Sequence, residues 1–208
     1  MAETVEAEYL RFVAGERRAR RLAPPPHAVL EGEATAAVIV EARRVPELMR
    51  VAARRAAGFF RPTTRTEVVW VRGENQLAVG FGGIEVKLST GLLRVLIPVR
   101  ADQTGNATVV VMFAVGAPDA PAGLYAATPQ KPTGPEVVAE VWGDALVAFA
   151  WQCVLGFVTG IAGATGKDAR GNVLVPVDLS VTPRAALITP MARHRFAGSS
   201  TLTTTKPP

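Results

Sequence analysis

Residues 145–166 carry no charge, and no other stretch of this 208-residue chain limits its possible structures as strongly. Asp144 and Lys167 border the run. A helix of this length, at about 1.5 Å per residue, is long enough to cross the hydrocarbon core of a bilayer, roughly 30 Å thick. The fold must therefore either surround this stretch with protein or leave it to lipid.

The pattern within and before this run favours protein. Positions four residues apart form a slanted ridge on a helix, and small residues on such a ridge leave a groove for a second helix. We therefore predict a core or subunit-interface helix over residues 136–163. Its ridge begins with Glu136, Glu140 and Asp144 and continues into the four helix–helix contact candidates, Ala148, Gln152, Gly156 and Gly160. Insertion of 145–166 into a membrane is the alternative, because Gly156 and Gly160 also form the G-x-x-x-G spacing.

An alternation of apolar and polar residues from 67 to 116 is typical of antiparallel strands. Short glycine-containing segments separate the runs, as two-residue hairpins require. We predict an α+β fold with five strands in a meander, including a hairpin turn at 80–83. Further strands are expected at 36–40, 173–181 and 186–189, in a sheet of five to seven strands. Pro176 predicts an edge position for the 173–181 strand because proline has no N–H for a sheet hydrogen bond.

A second helix is predicted from Pro46 to about Phe60, and two helices are expected to cover the sheet. We expect the acids that open the 136–163 helix to face arginines of this second helix, for example Arg54 with Glu140. The predicted organisation is an N-terminal helical arm with a proline-rich connector over 1–26, an α+β domain over 27–197 and a flexible tail over 198–208.

No residue pattern predicts catalysis. Cys153 lies within the uncharged run, where nothing would activate a thiolate, and the two histidines, His27 and His194, lack neighbours at metal-ligand spacing. A carboxylate pair formed by Asp102 and Asp178 is the residual enzymatic possibility. The sequence therefore predicts a protein that is not an enzyme, with no cofactor and no metal site.

The charge distribution suggests where an anionic partner would bind. Residues 1–72 hold 13 basic and 9 acidic side chains, and four arginines, Arg17, Arg18, Arg20 and Arg21, cluster near the end of the predicted arm. These arginines are the candidates for contact with nucleic acid or an acidic partner. No aromatic residues interleave with them for base stacking, so nucleic acid is not the favoured partner.

These observations together predict a structural or interaction protein, a subunit of a homo-oligomer or of a larger assembly. Two alternatives remain open: a membrane-inserting or pore-forming protein that uses 145–166, and an electrostatic binder that uses the N-terminal arginines. A cytoplasmic location is expected, because the chain has one cysteine and an acidic N-terminus unlike a secretory signal.

Overall fold

The computed structural model describes residues 9, 37–116, 128–167, 171 and 173–192. Over these residues the fold is α+β, as predicted, with two long helices and eight strands in two antiparallel sheets. The helices are α1 (Val45–Ala56) and α2 (Glu136–Ala164). The strands are β1 (Val38–Glu41), β2 (Val68–Arg72), β3 (Asn75–Val79), β4 (Glu85–Ser89), β5 (Leu92–Ala101), β6 (Gly105–Ala114), β7 (Leu174–Val181) and β8 (Ala185–Ala192).

The five-stranded sheet is built around β5. One edge of β5 pairs along its whole length with β6, and the other edge pairs with β4 near its start and with β3 near its end. Strand β2 pairs with β3 and forms the outer edge. The five strands lie where the alternation predicts them, but the meander order is wrong, because β3 and β4 share one edge of β5 and run in the same direction.

The connection between β3 and β4 explains this difference. Its residues, Phe81–Gly83, form a 3-10 turn instead of the predicted hairpin. The N–H of Gly80 donates to the carbonyl of Pro98 in β5 at 2.8 Å, and the N–H of Gly82 donates to the carbonyl of Thr66 at 2.9 Å. These bonds hold the chain against β5 and return it to the same strand edge, so the glycines permit close backbone contact rather than a chain reversal.

The second sheet has three strands in the order β1-β8-β7. Pro176 therefore lies on an edge strand, as predicted, and its position opposite Pro190 precedes a register shift in the β7–β8 pair. The two sheets meet where the N–H of Gly91 donates to the carbonyl of Val181 at 3.0 Å and the N–H of Val181 donates to the carbonyl of Gly116 at 3.1 Å. The strands thus form two sheets joined at one corner, and the prediction of one sheet of five to seven strands is wrong because β1, β7 and β8 pair with one another instead of with the five-stranded sheet.

Helix α1 ends four residues before its predicted end. Gly58 has a φ of +89°, which ends the helix, and the N–H of Phe59 donates back to the carbonyl of Arg54 at 2.9 Å. Phe59 then packs against Phe81, with ring centroids 5.3 Å apart, whereas Phe60 lies largely in solvent. Phe60, the predicted last residue of this helix, therefore lies beyond the helix and outside the core.

Helix α2 is the central element and matches its predicted bounds to one residue. It is about 43 Å long, and it contacts α1 and strands of both sheets. Trp70 of β2 packs against Trp142 and Phe149 of α2, with ring centroids 6.2 and 5.5 Å away, and Phe113 of β6 packs against Trp151. One long side of α2 thus lies at the centre of the hydrophobic core.

Candidate interaction surface

The predicted ridge of α2 is divided between two environments. Ala148 and Gln152 are exposed to solvent, whereas Gly156 and Gly160 are partly covered by other parts of the same chain. At both glycines the close neighbours, Ala52 and Tyr9, belong to the same chain. Of the four contact candidates, Ala148 and Gln152 are the two that the described residues leave exposed.

Gly160 lies directly beneath the ring of Tyr9. A Cβ atom added at Gly160 would lie 2.5 Å from Cε2 and 2.6 Å from Cδ2 of that ring. The Tyr9 side chain is only 2% exposed, and its hydroxyl donates to the carbonyl of Leu48 in α1 at 3.0 Å. Tyr9 is the one described residue of the predicted arm over 1–26, and at this position the N-terminal segment is anchored between the two helices.

Gly156 provides the contact between α2 and α1. A Cβ atom added there would lie 3.2 Å from Cβ of Ala52. The acids that open α2 lie 12 to 20 residues before Gly156, which corresponds to about 18 to 30 Å along the helix. Among the described residues no ion pair joins Arg54 to Glu140. The expectation that these acids face arginines of α1 is therefore wrong, because α1 crosses the other half of α2.

One side of α2 is exposed or half-exposed along most of its length and, apart from bordering Asp144, carries no charged side chain of its own. Near its start this side approaches the five-stranded sheet, because Val141 packs against the core and its carbonyl accepts a hydrogen bond from Arg72 of β2 at 2.8 Å. We call this side the outer face of α2. Its residues recur every three or four positions, which keeps them on one side of the helix. Two valines, a leucine and a threonine of this face were not part of the predicted ridge. The 3.6-residue period of a helix, applied to the sequence, would have placed them beside Ala148 and Gln152. The members are Val137, Val141, Ala145, Ala148, Gln152, Leu155 and Thr159.

Within the described part of the chain, α2 is the one helix long and apolar enough, by length and composition, to cross a membrane. Half of the residues in its most apolar stretch are buried inside the protein. A core helix of a compact domain passes the same test of length and composition, and the buried half of α2 has that character.

Strand β2 carries a second exposed apolar surface. Val69 and Val71 point away from α2 and are 52% and 65% exposed. Among the described residues β2 has a strand partner on one edge only. An open strand edge with exposed β-branched side chains can pair with another chain.

The predicted anion-binding arginines, Arg17, Arg18, Arg20 and Arg21, lie outside the described residues. Several arginines of the described part are engaged within the protein. Arg43 pairs with Glu41 at 2.8 Å, and Arg50 donates to the carbonyl of Ile84 at 2.9 Å. Arg65 stacks over the ring of Phe59 at 5.9 Å. Each of these three guanidinium groups therefore has a partner within the protein.

The residues considered for chemistry do not assemble into a reactive site. Burial raises the pKa of the Cys153 thiol far above its usual range, so the thiol stays protonated. Asp178 lies beside Gly116, near the start of β5, whereas Asp102 follows the end of β5. Ten residues of strand, about 33 Å, separate those two ends, so the two carboxylates do not meet.

Within the described ranges no group of three or more metal-binding side chains is present. His27 and His194 lie outside these ranges.

Comparison with protein-family models, with curated proteins and with solved structures found no match for this chain.

Proposed function

We propose that this protein is a non-enzymatic structural subunit that assembles with further copies of itself or with other protein subunits. The outer face of α2 is the observation that carries the proposal. It combines exposed apolar residues with an absence of charge along most of a helix, although solvated helix faces normally carry charged side chains. Protein surfaces that expose contiguous apolar residues are usually interaction sites.

The construction of α2 supports a protein partner in particular. Its buried side is held by aromatic contacts with β2 and β6 and by the close approach of α1 at Gly156. Such packing keeps the outer face rigid, so a partner would bind a preformed surface without the cost of ordering it. The small side chains Ala145 and Ala148 allow the backbone of a second helix to come within about 8 Å of α2.

The test is the native mass of the full-length protein, measured by light scattering and by native mass spectrometry over a wide concentration range. We expect a defined multiple of the 21.9 kDa chain mass. A matched variant, Ala148→Arg, places a charge on the outer face without touching the core, because Ala148 is exposed. A protein that remains monomeric at every concentration contradicts self-assembly.

Membrane insertion is the second candidate, and the length and apolar composition of α2 favour it. It requires α2 to leave its contacts with α1 and both sheets. Liposome flotation in the absence of detergent separates the two candidates. Recovery of the protein with the vesicles supports insertion, whereas a soluble assembly that leaves vesicles intact supports the structural subunit.

A further inference from the structure

The outer face of α2 has a mirror pattern about Ala150. Counting outwards from that residue, exposed or half-exposed positions occur at equal distances on both sides. Two antiparallel copies of α2 that cross at the level of Ala150 would therefore align six of the seven members of one face with members of the other, and Val137 with Gly163. This spacing follows from the helical repeat, and it permits a contact about a two-fold axis, in which the same surface must be complementary to itself.

The sizes of the side chains follow the same rule. In the antiparallel alignment Ala148 lies opposite Gln152 of the second copy, and Ala145 lies opposite Leu155. Further out, Val141 lies opposite Thr159. At the first two levels a larger side chain of one copy meets an alanine of the other, and at the third level the two side chains are similar in size. Such alternation allows two helix surfaces to interdigitate.

The ends of the face supply the strongest apolar contact. Val137, near the start of α2, is 46% exposed and lies opposite Gly163 of the second copy in this alignment. Gly163 is covered by Val173, whose Cγ1 atom is 3.6 Å from a Cβ added at the glycine, and Val173 is itself 52% exposed. The antiparallel arrangement therefore places two exposed valines together at each end.

The charges distinguish the antiparallel arrangement from the parallel one. Glu136 and Glu140 are exposed at the start of α2, and Lys167 is exposed just after its end. Side by side in the same direction, two copies would place each acid beside its own counterpart. In opposite directions, Lys167 of one copy lies at the end of the contact where the acids of the other begin, about 5 Å along the axis from Glu136 and about 10 Å from Glu140. Unlike charges attract and like charges across an interface are costly, so the charge pattern selects the antiparallel pair.

We propose that the occupant of the outer face of α2 is a second copy of this chain, docked through an antiparallel α2–α2 contact with its two-fold axis at the level of Ala150. This inference rests on the proposed self-assembly and specifies its geometry. In this contact the helices meet along their exposed sides, and Val137 is buried against Val173 of the second copy. Acidic residues of one copy and Lys167 of the other lie at both ends of the apolar contact.

Charge reversal in the full-length protein tests the geometry. Glu136→Lys with Glu140→Lys is expected to weaken dimerisation about tenfold, and Lys167→Glu alone severalfold, since each places like charges at both ends. The variant that combines all three changes restores unlike pairs only when the helices are antiparallel. It is expected to dimerise within about threefold of the wild type. Glu85→Lys, an exposed reversal on β4, is the matched control for net charge and is expected to leave dimerisation unchanged.

The outcomes separate this inference from the proposed function. A wild-type protein that is monomeric overturns both. An oligomer whose affinity is unaffected by Ala148→Arg and by the charge reversals overturns the α2 contact and leaves self-assembly standing. An oligomer that is weakened by each reversal but not rescued by their combination overturns the antiparallel direction. Loss on the separate reversals with recovery in the combined variant supports the inference.

Discussion

Replacing Gly160 with alanine tests the packing that holds the N-terminal segment to the domain. The new methyl group would lie 2.5 to 2.7 Å from three atoms of the Tyr9 ring, closer than carbon atoms can approach. Neither the α2 backbone nor the carbonyl of Leu48 is free to move far, since both belong to packed helices. The ring of Tyr9 must therefore leave its site, and its hydroxyl must release the carbonyl of Leu48.

The magnitude follows from three contributions. Exposure of a buried tyrosine ring costs about 2 to 3 kcal/mol, and loss of its hydrogen bond costs about 1 kcal/mol. Alanine in place of glycine inside a helix returns about 1 kcal/mol. We therefore expect Gly160→Ala to lower the free energy of unfolding by about 2 to 3 kcal/mol. For a chain of this size this corresponds to a fall in Tm of about 4 to 12 °C.

Thermal and urea unfolding, followed by circular dichroism, measure the effect. Gly143→Ala is the matched control in the same helix, because the nearest atom to its new methyl group is Cγ of Pro132 at 3.8 Å, an ordinary contact. It is expected to be neutral or to stabilise by up to about 1 kcal/mol. The same measurement on Tyr9→Ala provides the background in which the clash is absent.

The decisive comparison is the sign of the Gly160→Ala effect in the two backgrounds. With Tyr9 present the substitution destabilises the protein, and in the Tyr9→Ala background it stabilises it by about 1 kcal/mol through helix propensity. Equal destabilisation in both backgrounds would refute the argument, since it would show that the cost of the methyl group does not come from the Tyr9 ring.

Three further outcomes are expected. Tyr9→Phe removes the hydroxyl that donates to the carbonyl of Leu48, and thermal unfolding should show a loss of about 1 kcal/mol; an unchanged Tm contradicts that bond. Cys153 should resist a thiol-specific disulfide reagent at pH 8 until denaturant is added, because burial raises the pKa of its thiol; rapid reaction of the native protein would show the thiol to be accessible. Gly82→Ala should lower the free energy of unfolding in urea by about 1 to 3 kcal/mol, because its methyl group would lie 2.9 Å from Cβ of Thr66. An unchanged free energy of unfolding would argue against the close contact at the 3-10 turn.

Much of the secondary structure could be predicted because it depends on local patterns. The period-two alternation located the strands of the five-stranded sheet, the uncharged run located α2, and Pro176 indicated an edge strand. The pairing order could not be predicted in the same way. A glycine-rich segment between two alternating runs is typical of a hairpin, and nothing local shows that Gly80 and Gly82 bond instead to Pro98 and Thr66, which are distant in sequence.

The candidate site was predictable only in part for a related reason. A ridge of small residues indicates that something packs closely against a helix, but it does not say whether the neighbour belongs to the same chain. Ala52 and Tyr9 occupy the ridge at Gly156 and Gly160, so the exposed part moves towards Ala148 and Gln152. The mirror pattern of the outer face became visible only when the structure showed which positions are exposed.

One distance tests most directly whether a second copy covers the outer face of α2. A spin label attached to Glu140→Cys reports on the separation of the two labelled sites in a dimer, and buried Cys153 remains unlabelled. In the antiparallel pair these sites are 20 residues apart along the helix axis, so pulsed electron resonance should give a separation of about 30 Å. A separation of about 10 Å would show parallel helices, and the absence of any intermolecular distance would show that the face is not covered by a second copy.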